Sequence, residues 1–228
     1  MNMFGTVCHR KTFDAFVRCT CGLRVSSVKM HQGHHRRQTL VVGLGNYTMP
    51  DTRHSVGMTT VNRIANQMGL TWHKDRKCFG DVAVTTIDGD HHLILLKPRL
   101  FMNVNGLSIV KCAKKYELQP SDIYLIHDDL DRSFGKYSIK LNGSARGHNG
   151  VKSAMNCLKS DAMVRMRIGI GRPTTKNEVI NYVLSQFTGE QLLILDGIID
   201  GVVDTLLRHV RQRHSFSPIM PMRNTEPS

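Results

Sequence analysis

Polar residues able to do hydrolytic chemistry stand just beyond the apolar runs of this chain. Asn46 closes LVVGLGN, Lys97, Met102 and Asn103 follow HLILL, and His127, Asp128, Asp129 and Asp131 follow DIYLI. His54 lies shortly after Asn46, and His148 and Asn149 sit in a glycine-rich stretch, GSARGHNG. A histidine paired with an aspartate, without an obvious nucleophile, points to water as the attacking group. The imidazole takes a proton from water, while the carboxylate fixes the ring's tautomer and stabilises the imidazolium that forms. Asparagine amides can donate hydrogen bonds to the oxyanion of an acyl-transfer intermediate. Brought together, these groups could cleave an ester without a metal.

Other chemistries fit the same residues less well. Gly43 and Gly45 begin a GxGxxG pattern, but Thr48 takes the third position and Pro50 follows, so no helix runs directly from the turn. No acid ends a second strand where the ribose of a dinucleotide would need one. His54, His127, Asp128, Asp129 and His148 could in principle hold a divalent ion, yet they lack a helical histidine spacing and no cysteine joins them. No cofactor or metal is expected. A serine nucleophile has no GxSxG elbow. GSARGHNG opens a helix, whose first N–H groups are expected to face an anionic or carbonyl oxygen.

These groups need a scaffold that brings strand ends together. LVVGLGN reads as a buried strand, and Ser55 to Leu70 carries apolar residues at helical spacing. CFGDVAVTTIDGDHHLILLK predicts two strands around an Asp88–Gly89 turn. GLSIVKCAKKYEL is a helix stopped before Pro120, DIYLIH a buried strand, and HNGVKSAMNCLK a helix. GKYSIKL and RMRIGIG alternate, which sets Lys136 and Lys140, and Arg165 and Arg167, on polar faces. EQLLILDGIIDGVVDTLLRHVRQR is a long amphipathic helix. The expectation is a single α/β domain with a mixed, mostly parallel central sheet flanked by helices. In such sheets the carboxyl ends of the strands converge on the ligand crevice.

The 228 residues divide into a basic leader (1–39), the domain (40–213) and a tail (214–228) expected to be disordered. Lys and Arg outnumber Asp and Glu 31 to 18, a net charge of +13, which favours a polyanionic partner. The leader holds seven Lys or Arg and one acid, so +6 lies there and +7 in the rest. Its composition suits a mitochondrial transit peptide, with a cytoplasmic location as the alternative. The six cysteines form no CxxC pair, and no signal-peptide core precedes them, so reduced thiols are expected. No apolar run is long enough to span a membrane.

Taken in order, the motifs resemble the bacterial-type peptidyl-tRNA hydrolase family. They are GLGN (43–46), TRHSVGM (52–58), KPRLFMNVNG (97–106), HDDLD (127–131), GSARGHNG (143–150), RMRIGIGRP (165–173) and YVLSQF (182–187). The resemblance covers roughly residues 40 to 210. It implies a monomeric, metal-free esterase that cleaves the bond between a peptide and the 3′ ribose of tRNA, recycling tRNA from stalled translation. A non-catalytic RNA-binding relative is the alternative. By position, the resemblance makes His54 the general base and Asp128 its orienting partner, with Asn46 and Asn103 placing the ester and water. It gives Met102, Asn149 and His148 to substrate binding. Lys140 and Arg167 fall at positions that meet the tRNA 5′ phosphate, with Lys136 and Arg165 beside them and Lys152 and Lys176 as further candidates. His127 is left outside the site. The chain departs from the family where GLGNPG is usual: Tyr47 and Thr48 replace Pro-Gly, the loop is two residues shorter, and TRHS replaces TRHN.

Overall fold

A computed structural model describes residues 37–215, without the side chains of 214 and 215. The leader and tail readings therefore fall largely outside the described residues. The first strand, β1 (Gln38–Gly43), leads through a short 3-10 turn (Arg53–Ser55) into helix α1 (Val56–Gln67). A short edge strand, β2 (His73–Asp75), precedes the hairpin β3 (Gly80–Ile87) and β4 (His91–Pro98). Asp88 and Gly89 both take positive φ, 49° and 87°, at the turn expected there. Then follow α2 (Asn105–Lys115), β5 (Ile123–Asp129), β6 (Tyr137–Lys140), α3 (Asn149–Leu158) and β7 (Val164–Gly169). The chain closes with α4 (Val179–Leu184) and the long α5 (Gly189–Ser215).

Seven strands form one sheet in the order β2-β3-β4-β1-β5-β7-β6. The four in the middle, β4, β1, β5 and β7, run parallel, and antiparallel pairs finish both edges. Strands covered on both faces need apolar side chains on both, which explains the unbroken runs LVV and IYLI. Alternation divides those runs between two cores. Val41, Leu95, Tyr124 and Ile126 pack with Ile64 of α1 and Val202 and Leu206 of α5. Leu40, Val42, Ile94 and Leu125 pack with Ile109 of α2 and Val151 and Ala154 of α3. β1 lies between β4 and β5, so the chain passes to either side of it, and the crevice expected at such a point opens beyond the strand ends.

Two glycines bring the front of α1 down onto that crevice. A Cβ on Gly57 would run into the carbonyl oxygens of Ile126 and Leu44, and one on Gly43 would meet the carbonyl of Gly57. The GLGN and TRHSVGM glycines thus serve a close helix-to-sheet approach that carries His54 to the end of β5. Gly57→Ala is expected to destabilise the domain by about 1–3 kcal/mol, because only rigid backbone surrounds the added methyl. Urea unfolding checks this, and an unchanged midpoint would refute it.

Candidate active site

The site is best built from Asp128, a side chain that is 2% exposed near the end of β5. Its Oδ1 lies 2.9 Å from His54 Nδ1 and 2.9 Å from His148 Nε2, and its Oδ2 lies 3.1 Å from His54 Nδ1. His148 caps α3, where its Nδ1 accepts the backbone N–H groups of Gly150 (3.1 Å) and Val151 (3.3 Å). That nitrogen must therefore be bare, so Nε2 carries the proton and donates to Asp128. The carboxylate only accepts, so His54 donates from Nδ1 and keeps a bare Nε2. A chain of hydrogen bonds reaching from a helix N-terminus thus selects the tautomer a general base needs. Burial alone would raise the Asp128 pKa. The pull of His148 and His54 outweighs it and holds the carboxyl well below the usual carboxylate range.

The donor atoms of His54, Asp128 and His148 lie within 4.8 Å of one another, close enough to consider a metal. The hydrogen bonds do not suit one. For His148 Nε2 to become a ligand, Nδ1 would have to carry the proton and face two backbone donors. The same bonds correct an expectation about GSARGHNG: the N–H groups of Gly150 and Val151 are taken by His148 and are not left open for a ligand oxygen. The GLGN turn is likewise occupied. Leu44 N donates to Ile126 O at 2.9 Å and Asn46 N to Ser55 Oγ at 3.0 Å, so neither donor is open to a dinucleotide phosphate.

The nine positions that the resemblance assigns to catalysis, substrate and tRNA phosphate line one cleft of about 750 Å³: Asn46, His54, Met102, Asn103, Asp128, Lys140, His148, Asn149 and Arg167. The Asn46 Oδ1 accepts from Met102 N at 3.2 Å, which leaves its amide N–H₂ for other partners. Asn103 and Asn149 are exposed, whereas Met102 is buried and its sulfur fills the space a side chain on Gly150 would need. Phe101 and four residues of α4, Val179, Ile180, Val183 and Leu184, supply apolar wall.

His127, set aside on sequence grounds, belongs to this cleft. Its ring meets that of His148 edge-on at 4.8 Å, and its Nδ1 donates to the Asp128 carbonyl at 2.6 Å. Burial, with His148 close by, pushes its pKa down to about 3. A histidine held neutral in the folded state contributes stability that is complete above about pH 6.5, its unfolded value, and is lost as pH falls toward 3. Wild-type stability is expected to drop by up to about 1.4 kcal/mol per pH unit from this group across that window. His127→Asn, which keeps a donor near the Nδ1 position, should flatten the slope. Urea titrations at pH 7, 6 and 5 test it, and equal slopes would count against the assignment.

The basic side is more crowded than alternation alone suggests. Alternation puts Ser138, Lys140, Arg165 and Arg167 on a shared face, and two of the cations already have partners there. Arg165 is buried and donates to the carbonyls of Ser144 (2.7 Å) and Gly143 (2.6 Å), holding the loop before His148. Arg167 is nearly buried, with Nη2 2.5 Å from Asp129 Oδ2. Lys140 makes no ion pair among the described residues. Desolvation and the like charges of Arg165, Arg146 and Arg167 push its amine pKa down. Cations crowded in this way are relieved by an anion. Lys136 is exposed nearby, while Lys152 and Lys176 are exposed but do not line the cleft.

Arg53 had drawn no notice in the sequence. It is 5% exposed, and its guanidinium lies 4.6 Å from the Tyr182 ring and 5.2 Å from the Phe187 ring. It also donates to Ser185 Oγ (2.6 Å), the Gln186 carbonyl and Gln191 Oε1 (2.8 Å). The YVLSQF segment is thereby tied to the turn that carries His54. Both motifs were legible, but no local pattern says that they touch.

The fold is of the α/β class, and its cleft gathers groups whose chemistry suits hydrolysis. The sequence pattern of the peptidyl-tRNA hydrolase family matches residues 40–226. A mouse protein described as a probable peptidyl-tRNA hydrolase is 48% identical over 179 residues, 78% of this chain and 87% of that protein. The peptidyl-tRNA hydrolase of Persephonella marina is 35% identical, covering 73% of this chain and 88% of its own. A crystal structure of peptidyl-tRNA hydrolase from Acinetobacter baumannii superposes with a TM-score of 0.68 at 30% identity, covering 79% of this chain and 96% of its own. The chain belongs to the peptidyl-tRNA hydrolase family.

Proposed function

We propose that this chain hydrolyses the ester between a peptide, or another N-blocked aminoacyl group, and the 3′ ribose of tRNA. The observation that carries the reading is the proton arrangement around Asp128, which leaves His54 Nε2 bare at the cleft. Water bound there gives a proton to Nε2 as its oxygen attacks the ester carbonyl. Asp128 stabilises the imidazolium, and the amide N–H₂ groups of Asn46 and Asn103 receive the developing oxyanion. The tetrahedral intermediate then expels the ribose 3′ oxygen, which takes the proton back from His54. The products are a peptide acid and a free tRNA end, so no other reactant is needed. Met102, Asn149 and His148 line the part of the cleft assigned to the peptide and terminal adenosine. Phe101 and the α4 wall offer apolar surface that does not select one side chain.

Lys140 and Arg167 take a tRNA phosphate in this reading, with Lys136 extending the path. Such contacts give affinity and register without reading sequence. Lys140→Ala is the cleaner test, since Arg167→Ala would also leave Asp129 without its main partner. It is expected to raise KM, leave kcat nearly unchanged, and lower the slope of log affinity against log salt by about 1. An unaltered KM and slope would remove Lys140 from the phosphate path. The leader's composition supports a mitochondrial address, and the chain acts as a monomer in this reading.

The function is tested by release of the peptide moiety from an N-acetyl-aminoacyl-tRNA with EDTA present. Turnover supports a metal-free hydrolase. Binding of the tRNA without release would instead leave an RNA-binding relative.

A further inference from the structure

The loop between Asn46 and His54 carries Tyr47 and Thr48, and it has its own anchor. Tyr47 donates its hydroxyl to Asp81 Oδ2 at 2.7 Å. Arg99 Nη1 donates to Asp81 Oδ1 at 3.0 Å, and its guanidinium lies 4.2 Å from the Tyr47 ring centre. The three side chains close a triangle around a carboxylate that is only 9% exposed. Each comes from a different segment: the loop after β1, the start of β3 and the stretch after β4. Arg99 is itself fixed, since its N–H donates to Phe79 O at 2.9 Å.

We propose that Tyr47 is a positioning residue for the reaction. It is the covalent neighbour of Asn46, and Arg99 leads within three residues to Met102. The triangle therefore spans the same two segments as the Asn46 Oδ1 to Met102 N hydrogen bond at the cleft. Other ties in this region act on different atoms. Asn105 Nδ2 donates to Gly45 O (3.1 Å), and Ser55 Oγ accepts from Asn46 N while donating to Met49 O (2.7 Å). These fix the backbone on either side of the loop. The triangle sets the spacing between the two segments, and with it the direction in which the Asn46 amide faces the ester. An aromatic ring against a guanidinium, with both hydrogen-bonded to one buried carboxylate, resists sliding in every direction that a single hydrogen bond would permit. The phenol's pKa is raised by burial and by its bond to Asp81, so the hydroxyl remains a donor throughout the neutral range.

The role rests on the proposed part of Asn46 in hydrolysis, and the test separates the two. Tyr47→Phe keeps the ring on Arg99 and removes only the hydroxyl. It is expected to lower kcat about tenfold with KM little changed, within the roughly hundredfold that a displacement of about 1 Å can cost. In an Asn46→Ala background the same change should cost nothing further, because Tyr47 acts through Asn46. A purely structural tyrosine would instead lower the melting temperature and multiply its effect in both backgrounds. Hydrogen exchange at the Met102 amide gives a readout independent of turnover, and Tyr47→Phe should accelerate it. Wild-type kcat in the variant, a loss that persists in the Asn46→Ala background, or unchanged Met102 exchange would each overturn the proposal. Accelerated exchange in Tyr47→Phe, with no peptide release even by the wild-type protein, would sink the hydrolase reading and keep the clamp.

Discussion

His54→Ala is expected to lower kcat for peptide release from N-acetyl-aminoacyl-tRNA by about 10³-fold, within the range general-base catalysis supplies. KM should change little, because the cations and the amide-lined cleft remain. The ring is part of no core cluster, and its side chain is 13% exposed, so the variant should fold normally. Single-turnover rates with saturating enzyme measure the chemical step directly. A variant keeping more than a tenth of the wild-type rate would remove His54 from the reaction. A tRNA dissociation constant that rises in parallel with the fall in rate would make it a binding residue instead.

Asp128→Asn should cost as much, for a different reason. An asparagine at this place has one accepting oxygen and an N–H₂ group where the carboxylate had two acceptors. It cannot satisfy the donors of His54 and His148 together. If the N–H₂ faces His54, that ring must shift its proton to Nε2, and the base is lost. If it faces His148, that histidine must move its proton to Nδ1 and let go of the N-terminus of α3. Either way kcat is expected to fall about 10³- to 10⁴-fold with KM nearly constant. The pH behaviour supplies a second check. A carboxyl held below its unfolded value contributes stability that is complete above about pH 3.9 and lost in stronger acid. The Asn variant should therefore be less stable than wild type at neutral pH and lose less on acidification below about pH 4. Equal activity would refute the tautomer argument, and parallel acid unfolding curves would refute the linkage.

Much of the site was legible because its residues end short apolar runs. A buried strand must stop where polar side chains begin, and the ends of β1, β4 and β5 meet by topology, so Asn46, Met102, Asn103 and Asp128 could be picked out in order. The sheet followed from LVV and IYLI, runs too apolar for any strand with a wet face. What the sequence hid was what covers what. Alternation assigned Arg165 and Arg167 a face correctly, yet it holds no information about the 143–144 carbonyls or Asp129, which close over them. GSARGHNG announced a helix start, but not that its own histidine would fill the cap. His127 looked like a strand end because nothing in HDDLD shows that a ring from residue 148 lies against it. The short β2 and α4 carry too few residues for any period to register.

The Arg53 contacts bear on when the enzyme comes into being during its own synthesis. His54 is translated early, but its turn is fastened to Ser185, Gln186 and Gln191, more than 130 positions later. Asp128 and His148 emerge in between. A nascent chain shorter than about the start of α5 lacks the partners that fasten this turn.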